Sequence, residues 1–222
     1  MSDLTQVAPY YKNPRMEVVE AVPEGVKSVL DVGCASGAFG AAVKERLGPV
    51  VWGIEMNDAI ALHAKKRLDE VFVGDALTII PQLSRKFDLV TFNDVLEHMP
   101  EPGFVLRNTA SVLNPGGCVL MSLPNIRYWD AFLQIAFGAD FPQEDSGIFD
   151  RTHLRFFTQK SIRRFLPENG YEIVWMRGIN PTPSRKLRAI NLLTANKFED
   201  CKYLQFLILA RPVDPSASPN AS

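Results

Sequence analysis

Residues 29–37, VLDVGCASG, constrain the fold of this chain more than any other stretch. They begin as an apolar, mostly β-branched run interrupted by Asp31 and end in small residues, after which residues 38–47 show apolar periodicity. This pattern predicts a buried strand that turns sharply into a helix. Gly33 and Gly37 can adopt backbone angles that other residues avoid, so a ligand can lie close to the main chain there. The alternative is an ordinary strand-to-helix turn in a parallel sheet.

The length of the chain indicates a single domain. With 222 residues it can bury one good α/β core, but it is short for two such domains. We expect one domain over residues 1–211 and a disordered tail at residues 212–222, where Pro, Ser and Ala are frequent. The 24 lysines and arginines nearly balance the 25 aspartates and glutamates, so the net charge attracts neither nucleic acid nor an anionic membrane.

The three cysteines, Cys34, Cys118 and Cys201, are far apart and form no CxxC pair. This spacing indicates small buried thiols in a reducing compartment rather than a zinc site or a disulfide framework, so no metal is expected. Residues 1–10 lack the basic flank and apolar core of a targeting segment, and no stretch approaches about 18 unbroken apolar residues. We therefore expect a soluble, cytoplasmic protein without a membrane span, whose oligomeric state the sequence does not indicate.

Strand and helix patterns alternate along the chain. They predict helices at residues 16–21, 38–47, 58–68 and 158–166, the third with Asp58 as its N-cap. They predict strands at residues 27–32, 50–55, 71–73, 87–92, 118–123, 171–179 and 202–210. This order favours an α/β fold with a doubly wound, mostly parallel sheet whose pocket lies at the carboxyl ends of the strands. Residues 181–196 are expected to form an irregular excursion.

Acidic residues follow the second and third strands. Glu55 lies 22 residues beyond Gly33 at the end of a strand, where an acid can accept hydrogen bonds from both hydroxyls of a ribose. The alternative is an exposed acid at a strand end. Asp75, which follows Gly74, can either hydrogen-bond an adenine amino group or simply form a turn.

Three segments outside the strands are candidates for ligand contact. Tyr10, Tyr11 and Arg15 precede the first strand and either close over the polar end of the ligand or cover the sheet edge. Residues 124–157 contain eight aromatic side chains and are expected to fold over the open end of the sheet as a lid or acceptor pocket, although any single ring can simply pack the lid onto the core. Four basic residues of the excursion form a solvated face or meet a phosphate on the acceptor: Arg185, Lys186, Arg188 and Lys197.

Six motifs, in order and at suitable spacing, make residues 10–212 resemble the class I S-adenosylmethionine-dependent methyltransferases. They are LDVGCASG at 30–37, Glu55, GD at 74–75, FDLV at 87–90, DVLEH at 94–98 and LNPGG at 113–117. The resemblance implies methyl transfer as the activity and S-adenosylmethionine as the cofactor. It also implies a seven-stranded sheet with a C-terminal antiparallel strand and a lid insertion.

The resemblance implies roles for individual residues of the first two strands. Asp31, Gly33 and Gly37 would shape the loop under the methionine part of the cofactor, and Glu55 would hold its ribose. The chain departs from the family at the middle glycine of G-x-G-x-G, where Ala35 stands. Because alanine is small, cofactor binding is expected to survive this change.

The resemblance also implies cofactor contacts beyond the second strand. Asp75 with Ala76 would border the adenine, and Asn93 would face the methionine moiety or the sulfonium. The other residues expected to contact the cofactor are Tyr11, Arg15, Cys34, Met56 and Asp94.

Residues 149–158, FDRTHLRFFT, are similar to a stretch in a methyltransferase subgroup associated with sugar and surface-glycan modification. We therefore expect the methyl acceptor to be a hydroxyl of a small or carrier-linked molecule, including a sugar. An alcohol must lose its proton during the in-line displacement, and His153 is the first candidate for the base, with Asp150 placed to orient it. His98 is the second candidate. Either histidine could instead be a structural hydrogen-bonding residue, and His63 is expected at the surface.

Other functions can use the same sheet. A nicotinamide oxidoreductase needs G-x-G-x-x-G, and the matching positions here are Gly33, Ala35 and Ala38, so this function is disfavoured. A regulatory or scaffold protein that binds S-adenosylmethionine without catalysis is the alternative that we retain. Nitrogen acceptors also stay open, because the core motifs describe only the binding site of the methyl donor.

Overall fold

The computed structural model of the protein describes residues 13–213. The prediction for Tyr11 and most of the predicted tail therefore lie outside the described residues. Pro212, which we placed in the tail, is the last residue of a strand.

A seven-stranded sheet forms the centre of the fold, with strand order β3-β2-β1-β4-β5-β7-β6. The first five strands are parallel, and β7 runs antiparallel to both of its neighbours. The strands are β1 Ser28–Val32, β2 Val50–Glu55, β3 Glu70–Val73, β4 Phe87–Asn93, β5 Leu113–Pro124, β6 Tyr171–Pro181 and β7 Tyr203–Pro212. The predicted fold class, a mostly parallel α/β sheet with an antiparallel C-terminal strand, is confirmed.

Eight α-helices accompany the strands within residues 13–213. They are α1 Met16–Val19, α2 Ala38–Leu47, α3 Asp58–Ala64, α4 Ala76–Ile79, α5 Pro102–Thr109, α6 Trp129–Ala136, α7 Gln159–Glu168 and α8 Arg185–Leu193. No helix in this part of the chain is long and apolar enough to cross a lipid bilayer.

The two faces of the sheet have separate cores because successive side chains of a strand point to opposite faces. Leu30 faces one core, where it is buried with Leu106 of α5 and Leu166 of α7. Val29, its neighbour in the chain, faces the other core, where Val43 of α2 is buried. Burial of each such side chain contributes about 1.5–3 kcal/mol, so helices on both faces fix the strands and the loops at their ends.

The helix after β2 differs from its prediction at both ends. Its N-cap is Asn57 rather than Asp58, because the Asn57 side chain accepts hydrogen bonds from the backbone N–H groups of Ala59 (3.0 Å) and Ile60 (3.2 Å). The helix ends at Ala64 rather than near Leu68. Leu68 instead follows a series of turns and is buried in the core beneath α2 and α3.

The prediction of an irregular excursion at residues 181–196 is wrong, since most of it forms α8. The hydroxyl of Ser184 accepts a hydrogen bond from the backbone N–H of Leu187 and so caps the helix. Leu187 is 2 % exposed and packs in a small core with Trp129 of α6 and Cys201. The excursion and the aromatic segment at residues 124–157 therefore share one core at the end of the sheet.

Candidate functional site

The carboxyl ends of the parallel strands bring the predicted cofactor residues together. In the register of the sheet, Asp31 of β1 lies between Gly53 of β2 and Thr91 of β4. On one side of β1, strand β2 ends at Glu55, and on the other side, strand β4 ends at Asn93. The loop that follows β1 therefore has a carboxylate on one flank and an amide on the other.

The loop after β1 adopts backbone angles that few residues tolerate. Gly33, Ala35 and Gly37 have φ angles of 70°, 48° and 77°, all in the left-handed region. A Cβ on Gly33 would lie 2.5 Å from Cγ2 of Val95, so glycine is required there for space as well as for conformation. Ala35 stands where the family has its middle glycine and adopts a left-handed conformation, which costs a residue with a Cβ about 1–2 kcal/mol.

Glu55 holds this loop and still has capacity for a ligand. Its Oε2 accepts a hydrogen bond from the backbone N–H of Ala35 (2.9 Å), and its Oε1 accepts one from that of Asn57 (2.8 Å). A carboxylate oxygen has two acceptor positions, so one position on each oxygen is left for another donor. The pair of vicinal hydroxyls on a ribose fits this arrangement.

Two polar groups at the base of the loop suit the charged amino-acid end of the cofactor. Asp31 is 2 % exposed, and its Oδ1 accepts a hydrogen bond of 2.7 Å from the hydroxyl of Thr91. Burial raises the pKa of Asp31 to about 7, the Thr91 hydrogen bond opposes this shift, and the charge of Glu55 adds to it. Oδ1 of Asn93 is buried, and no described residue donates a hydrogen bond to it. The ammonium group of an amino acid could donate hydrogen bonds to the Asp31 carboxylate and to Oδ1 of Asn93.

The remaining predicted cofactor residues of this edge take different positions. The side chain of Cys34 turns into the core, where a Cβ on Gly53 would lie 2.5 Å from its sulfur, so only the Cys34 backbone belongs to the loop. Met56 is 69 % exposed beside Glu55. Asp75 caps α4 by accepting a hydrogen bond from Leu77 N–H (2.9 Å), and Ala76 is buried at the start of that helix. The carboxylate of Asp75 thus already has a structural role.

Arg15 and Asp94 form an ion pair at the rim of the site. Oδ1 of Asp94 also accepts hydrogen bonds from the hydroxyl of Ser122 (2.7 Å) and the amide of Gln205 (2.8 Å). Arg15 donates further to Glu17 (2.6 Å) and to Gln205 (3.0 Å). These bonds tie the segment before β1 to the ends of β4, β5 and β7, and they use most of the polar capacity of Asp94 within the protein.

Glu97 is a second buried acid of the site, and no role was predicted for it. It lies in a 3-10 turn, Leu96–His98, just after β4, and is 0 % exposed. No other residue within 13–213 donates a hydrogen bond to either carboxylate oxygen. Burial raises the pKa of Glu97 well above its usual range, and the charge of Asp94 raises it further.

The two candidate bases lie against each other. The imidazole rings of His98 and His153 meet edge to face, with ring centroids 4.7 Å apart. Nδ1 of His153 lies 3.0 Å from the carbonyl oxygen of Ile148, and Nδ1 of His98 lies 3.2 Å from that of Thr152. A carbonyl oxygen can only accept, so each Nδ1 carries the hydrogen and, in the neutral ring, Nε2 holds the lone pair. Burial and the neighbouring His153 lower the pKa of His98, which favours this neutral form.

The carboxylate of Asp150 makes no hydrogen bond with the imidazole of His153, which corrects the geometry expected from the sequence; the two residues are joined only through the backbone, where His153 N–H donates to the Asp150 carbonyl oxygen (3.0 Å). Oδ1 of Asp150 instead accepts hydrogen bonds from the N–H (2.8 Å) and the hydroxyl (2.6 Å) of Thr152. The Thr152 hydroxyl lies 3.0 Å from Nδ1 of His98, so Asp150 orients His98 through Thr152. Sequence reasoning missed Thr152 and Glu97, although Glu97 lies inside the motif DVLEH at 94–98 and stands between the apolar Leu96 and the candidate base His98.

Comparisons with known proteins identify the family of the chain. The model of a methyltransferase-domain family matches residues 5–175. The chain is 27 % identical over 164 residues to a ubiquinone biosynthesis O-methyltransferase of Coxiella burnetii, covering 71 % of this chain and 68 % of the relative. It is 30 % identical over 163 residues to the protein of that name in Aeromonas salmonicida, with 71 % and 68 % covered.

Solved structures show the same fold. A SAM-dependent methyltransferase from Archaeoglobus fulgidus superposes with a TM-score of 0.64 at 18 % identity, covering 88 % of this chain and 90 % of that one. Magnesium protoporphyrin IX methyltransferase from Synechocystis PCC 6803, solved with bound SAH, gives a TM-score of 0.58 at 17 % identity, covering 90 % and 82 %. Together with the family match over residues 5–175, these likenesses show that the chain belongs to the methyltransferase-domain family and is a class I S-adenosylmethionine-dependent methyltransferase.

Proposed function

We propose that this methyltransferase acts on a hydroxyl oxygen of a small or carrier-linked acceptor held against His98 and His153. The observation that carries the proposal is the pairing of the two imidazole rings, 4.7 Å apart, on segments that adjoin the end of β4. In the neutral form of each ring, Nε2 is the electron-pair donor. A hydroxyl nucleophile needs such a group nearby, because it must lose its proton as it attacks.

Aromatic side chains beside the histidines suit an acceptor with a flat apolar face. Phe141 meets Phe149 and Phe156 edge to face, each with ring centroids 5.2 Å apart. Phe156 in turn lies 6.4 Å from the ring of His153. Phe141 and Phe156 are 50 % and 42 % exposed, so they offer apolar surface to a ligand next to the candidate bases.

The relatives favour oxygen as the acceptor atom. The proteins in Coxiella burnetii and Aeromonas salmonicida are named O-methyltransferases of ubiquinone biosynthesis, and they are 27 % and 30 % identical to this chain. None of these names supports a glycan acceptor. The sugar prediction therefore depends only on the similarity of residues 149–158, and it enters the experiment as one arm among several.

The proposed reaction is an in-line displacement at the methyl carbon. The acceptor oxygen must approach that carbon to about 3–3.5 Å in line with the sulfur. The C–O bond forms while the C–S bond breaks, the bonding electron pair remains on sulfur, and the hydroxyl proton leaves. The protein's part is to hold the oxygen in line, to exclude water with the aromatic segment and to assist departure of the proton at the histidine pair.

The test is a methyl-transfer assay with isotope-labelled S-adenosylmethionine and matched acceptors. The panel contains catechols, simple phenols, sugars and amines, and each hydroxyl compound is paired with its O-methylated form. We expect label only where a free hydroxyl is present. His153→Ala should lower kcat by roughly 100-fold or more while leaving S-adenosylmethionine affinity nearly unchanged, and His63→Ala is the control.

Three results would contradict this function. Exclusive labelling of amines would exclude oxygen as the acceptor atom. Normal turnover in the His153 variant would exclude this histidine from the chemistry. Cofactor binding without transfer to any acceptor would favour the retained alternative, a scaffold protein that binds S-adenosylmethionine.

A further inference from the structure

We propose that Glu97, His98 and His153 bind a divalent transition-metal ion, with zinc as the best fit, and that this ion contacts the acceptor hydroxyl. The second part rests on the proposed function, whereas the binding of the ion does not. The cysteine spacing predicted no metal site, but these three ligands come from segments 55 residues apart that only the fold brings together.

The three side chains are close enough to share one ion. Each contributes a ligand atom, and these atoms all lie within 4.8 Å of one another. Zinc binds imidazole nitrogen and carboxylate oxygen at about 2.0–2.2 Å, so two ligands on one ion lie at most about 4.4 Å apart. Small rotations of the two partly buried imidazole rings would bring the three ligand atoms within this distance.

The environment of Glu97 points to a cation. Its side chain is 0 % exposed, and no other described residue donates a hydrogen bond to its carboxylate. A buried charged or polar group is costly unless it is paired, and such groups are rare in folded proteins without a partner or a bound ion. A metal ion beside the histidines would give both oxygens a partner, which sets Glu97 apart from acids that merely cluster at a surface.

The hydrogen bonds of both histidines give the tautomer that a metal ligand needs. Nδ1 of His153 donates to the Ile148 carbonyl, and Nδ1 of His98 donates to Thr152, so Nε2 of each ring carries the lone pair. Ligand histidines in metal sites usually donate their second N–H to a carbonyl or a carboxylate in this way, which fixes the ring and its tautomer. The Asp150–Thr152–His98 chain supplies this support for His98.

The backbone holds the two ligand segments together. The carbonyl oxygen of Glu97 accepts hydrogen bonds from the N–H groups of Leu154 (2.8 Å) and Arg155 (3.0 Å). These bonds fix the chain that follows His153 directly beneath Glu97 and His98. The backbone that carries the three ligands is therefore fixed before any ion binds, and only the side chains must adjust, which lowers the ordering cost of binding.

Two nitrogens and one oxygen are a donor set for zinc and for neighbouring divalent metals such as cobalt. Three protein ligands leave a position for an oxygen of the acceptor, and a bound cation lowers the pKa of a hydroxyl that it contacts. The hydroxyl proton would then pass to water, the oxygen would attack the methyl carbon, and the electron pair of the broken C–S bond would remain on sulfur. In this form the histidines hold the ion and do not take the proton themselves.

The direct test is Co²⁺ binding to the full chain after treatment with a chelator and its removal. We expect a single equivalent of Co²⁺ to bind, to give visible absorption bands of low-symmetry cobalt, and to be displaced by Zn²⁺. Glu97→Gln, His98→Asn and His153→Asn should each weaken Co²⁺ affinity by roughly 100-fold or more. His63→Asn is the matched control, because it removes the third histidine of the chain and lies outside the cluster.

A second pair of variants tests the support for His98. Thr152→Val removes the hydroxyl that contacts Nδ1 and should weaken Co²⁺ affinity by about 10- to 100-fold, whereas Thr152→Ser keeps the hydroxyl and should bind normally. Metal should also raise the unfolding temperature of the native chain and not that of Glu97→Gln. This stability readout applies even if a histidine variant folds poorly.

The results separate this proposal from the proposed function. Stoichiometric binding that depends on the three residues, without methylation of any hydroxyl, would support the metal site and overturn the O-methyl transfer. Hydroxyl methylation that proceeds at full rate in the presence of chelator would overturn the catalytic part. Absence of stoichiometric Co²⁺ or Zn²⁺ binding, or binding that survives in the Glu97, His98 and His153 variants, would overturn the site.

Discussion

The backbone N–H of Ala35 donates a hydrogen bond of 2.9 Å to Oε2 of Glu55. This bond joins the loop after β1 to the end of β2, so one carboxylate both shapes the loop and faces the space expected to hold the ribose. The N–H of Asn57 binds the other oxygen at 2.8 Å. Two backbone donors thus fix the orientation of Glu55 before a ligand arrives, which lowers the entropic cost of binding.

Glu55→Gln is predicted to lose most of the affinity for S-adenosylmethionine. The amide has one acceptor oxygen instead of two, and its NH₂ group would face the N–H of Ala35 or of Asn57. Hydrogen bonds to a charged group contribute about 1.5–3 kcal/mol, which corresponds to a loss of roughly 10- to 100-fold in affinity. Calorimetric titration with S-adenosylmethionine and with its demethylated product would measure this loss. Glu45→Gln on the exposed side of α2 should bind normally, and equal affinity for both variants would contradict the assignment.

Ala35→Gly is predicted to stabilise the protein. A residue with a Cβ costs about 1–2 kcal/mol in the left-handed region, whereas the added freedom of glycine in the unfolded chain costs about 0.4–1 kcal/mol. The free energy of unfolding should therefore rise by about 0.5–1 kcal/mol in a urea titration. Ala41→Gly makes the same chemical change inside α2 and should lower it by about 1 kcal/mol. A loss of stability in both variants would mean that Ala35 is not strained.

The sheet could be predicted because its buried strands appear in the sequence as apolar runs. The strands predicted at residues 27–32 and 87–92 match β1 and β4 to within one residue at each end. The first and last residues of strands and helices were less predictable where tertiary contacts determine them. β5 begins at Leu113 rather than at residue 118, because Leu113 pairs with Phe87 across a shift in register. The cap at Asn57 was missed since two adjacent residues can both cap a helix, and only the folded chain shows which side chain accepts the N–H groups.

Only those parts of the candidate site that lie directly at the end of a single strand could be predicted from the sequence. The loop at Gly33 and the acid at Glu55 follow from local patterns, and the structure brings them together. Asp150, by contrast, was assigned to His153 because the two are near in sequence, whereas its hydroxyl partner Thr152 contacts His98, 54 residues away. Spacing along the chain carries no information about such a contact.

Asp31 is predicted to give the stability of the protein a particular pH dependence. Its pKa is about 7 in the folded protein, since burial disfavours the charged form, and about 3.9 in an unfolded chain. Between about pH 4 and 7 the folded state therefore binds more protons at Asp31 than the unfolded state does. The contribution of Asp31 to the free energy of unfolding falls as the pH rises through this window and is constant above it. Urea titrations of the native chain and of Asp31→Asn across this range isolate the effect by difference. Parallel profiles would show that Asp31 is ionised throughout.

The Arg15–Asp94 ion pair is predicted to stabilise the protein, and the effects of replacing its two residues are predicted to be non-additive. The two side chains are 14 % and 9 % exposed, so Arg15→Ala leaves a largely buried carboxylate without its cation. We expect a loss of about 1.5–3 kcal/mol in the free energy of unfolding, and a smaller loss when Asp94→Asn is already present. The exposed pair Arg211–Glu172, at 62 % and 50 %, should show a coupling below about 1 kcal/mol in the same double-mutant cycle. Additive losses at Arg15 and Asp94 would rule out the coupling.

Asn93→Ala is predicted to separate cofactor binding from stability. Oδ1 of Asn93 is buried and receives no hydrogen bond from the described residues. An unpaired buried acceptor costs about 1–3 kcal/mol, so removing it offsets the packing energy lost with the side chain, and the free energy of unfolding should change little. S-adenosylmethionine affinity should nevertheless fall by about tenfold, because a donor on the cofactor would lose its acceptor. Asn125 is the matched residue, since its amide donates to the carbonyls of Asp200 (2.8 Å) and Tyr203 (3.0 Å), and Asn125→Ala should destabilise the protein clearly. Similar losses of stability in the two variants, or unchanged affinity in Asn93→Ala, would show that Asn93 is a structural residue with no part in holding the cofactor.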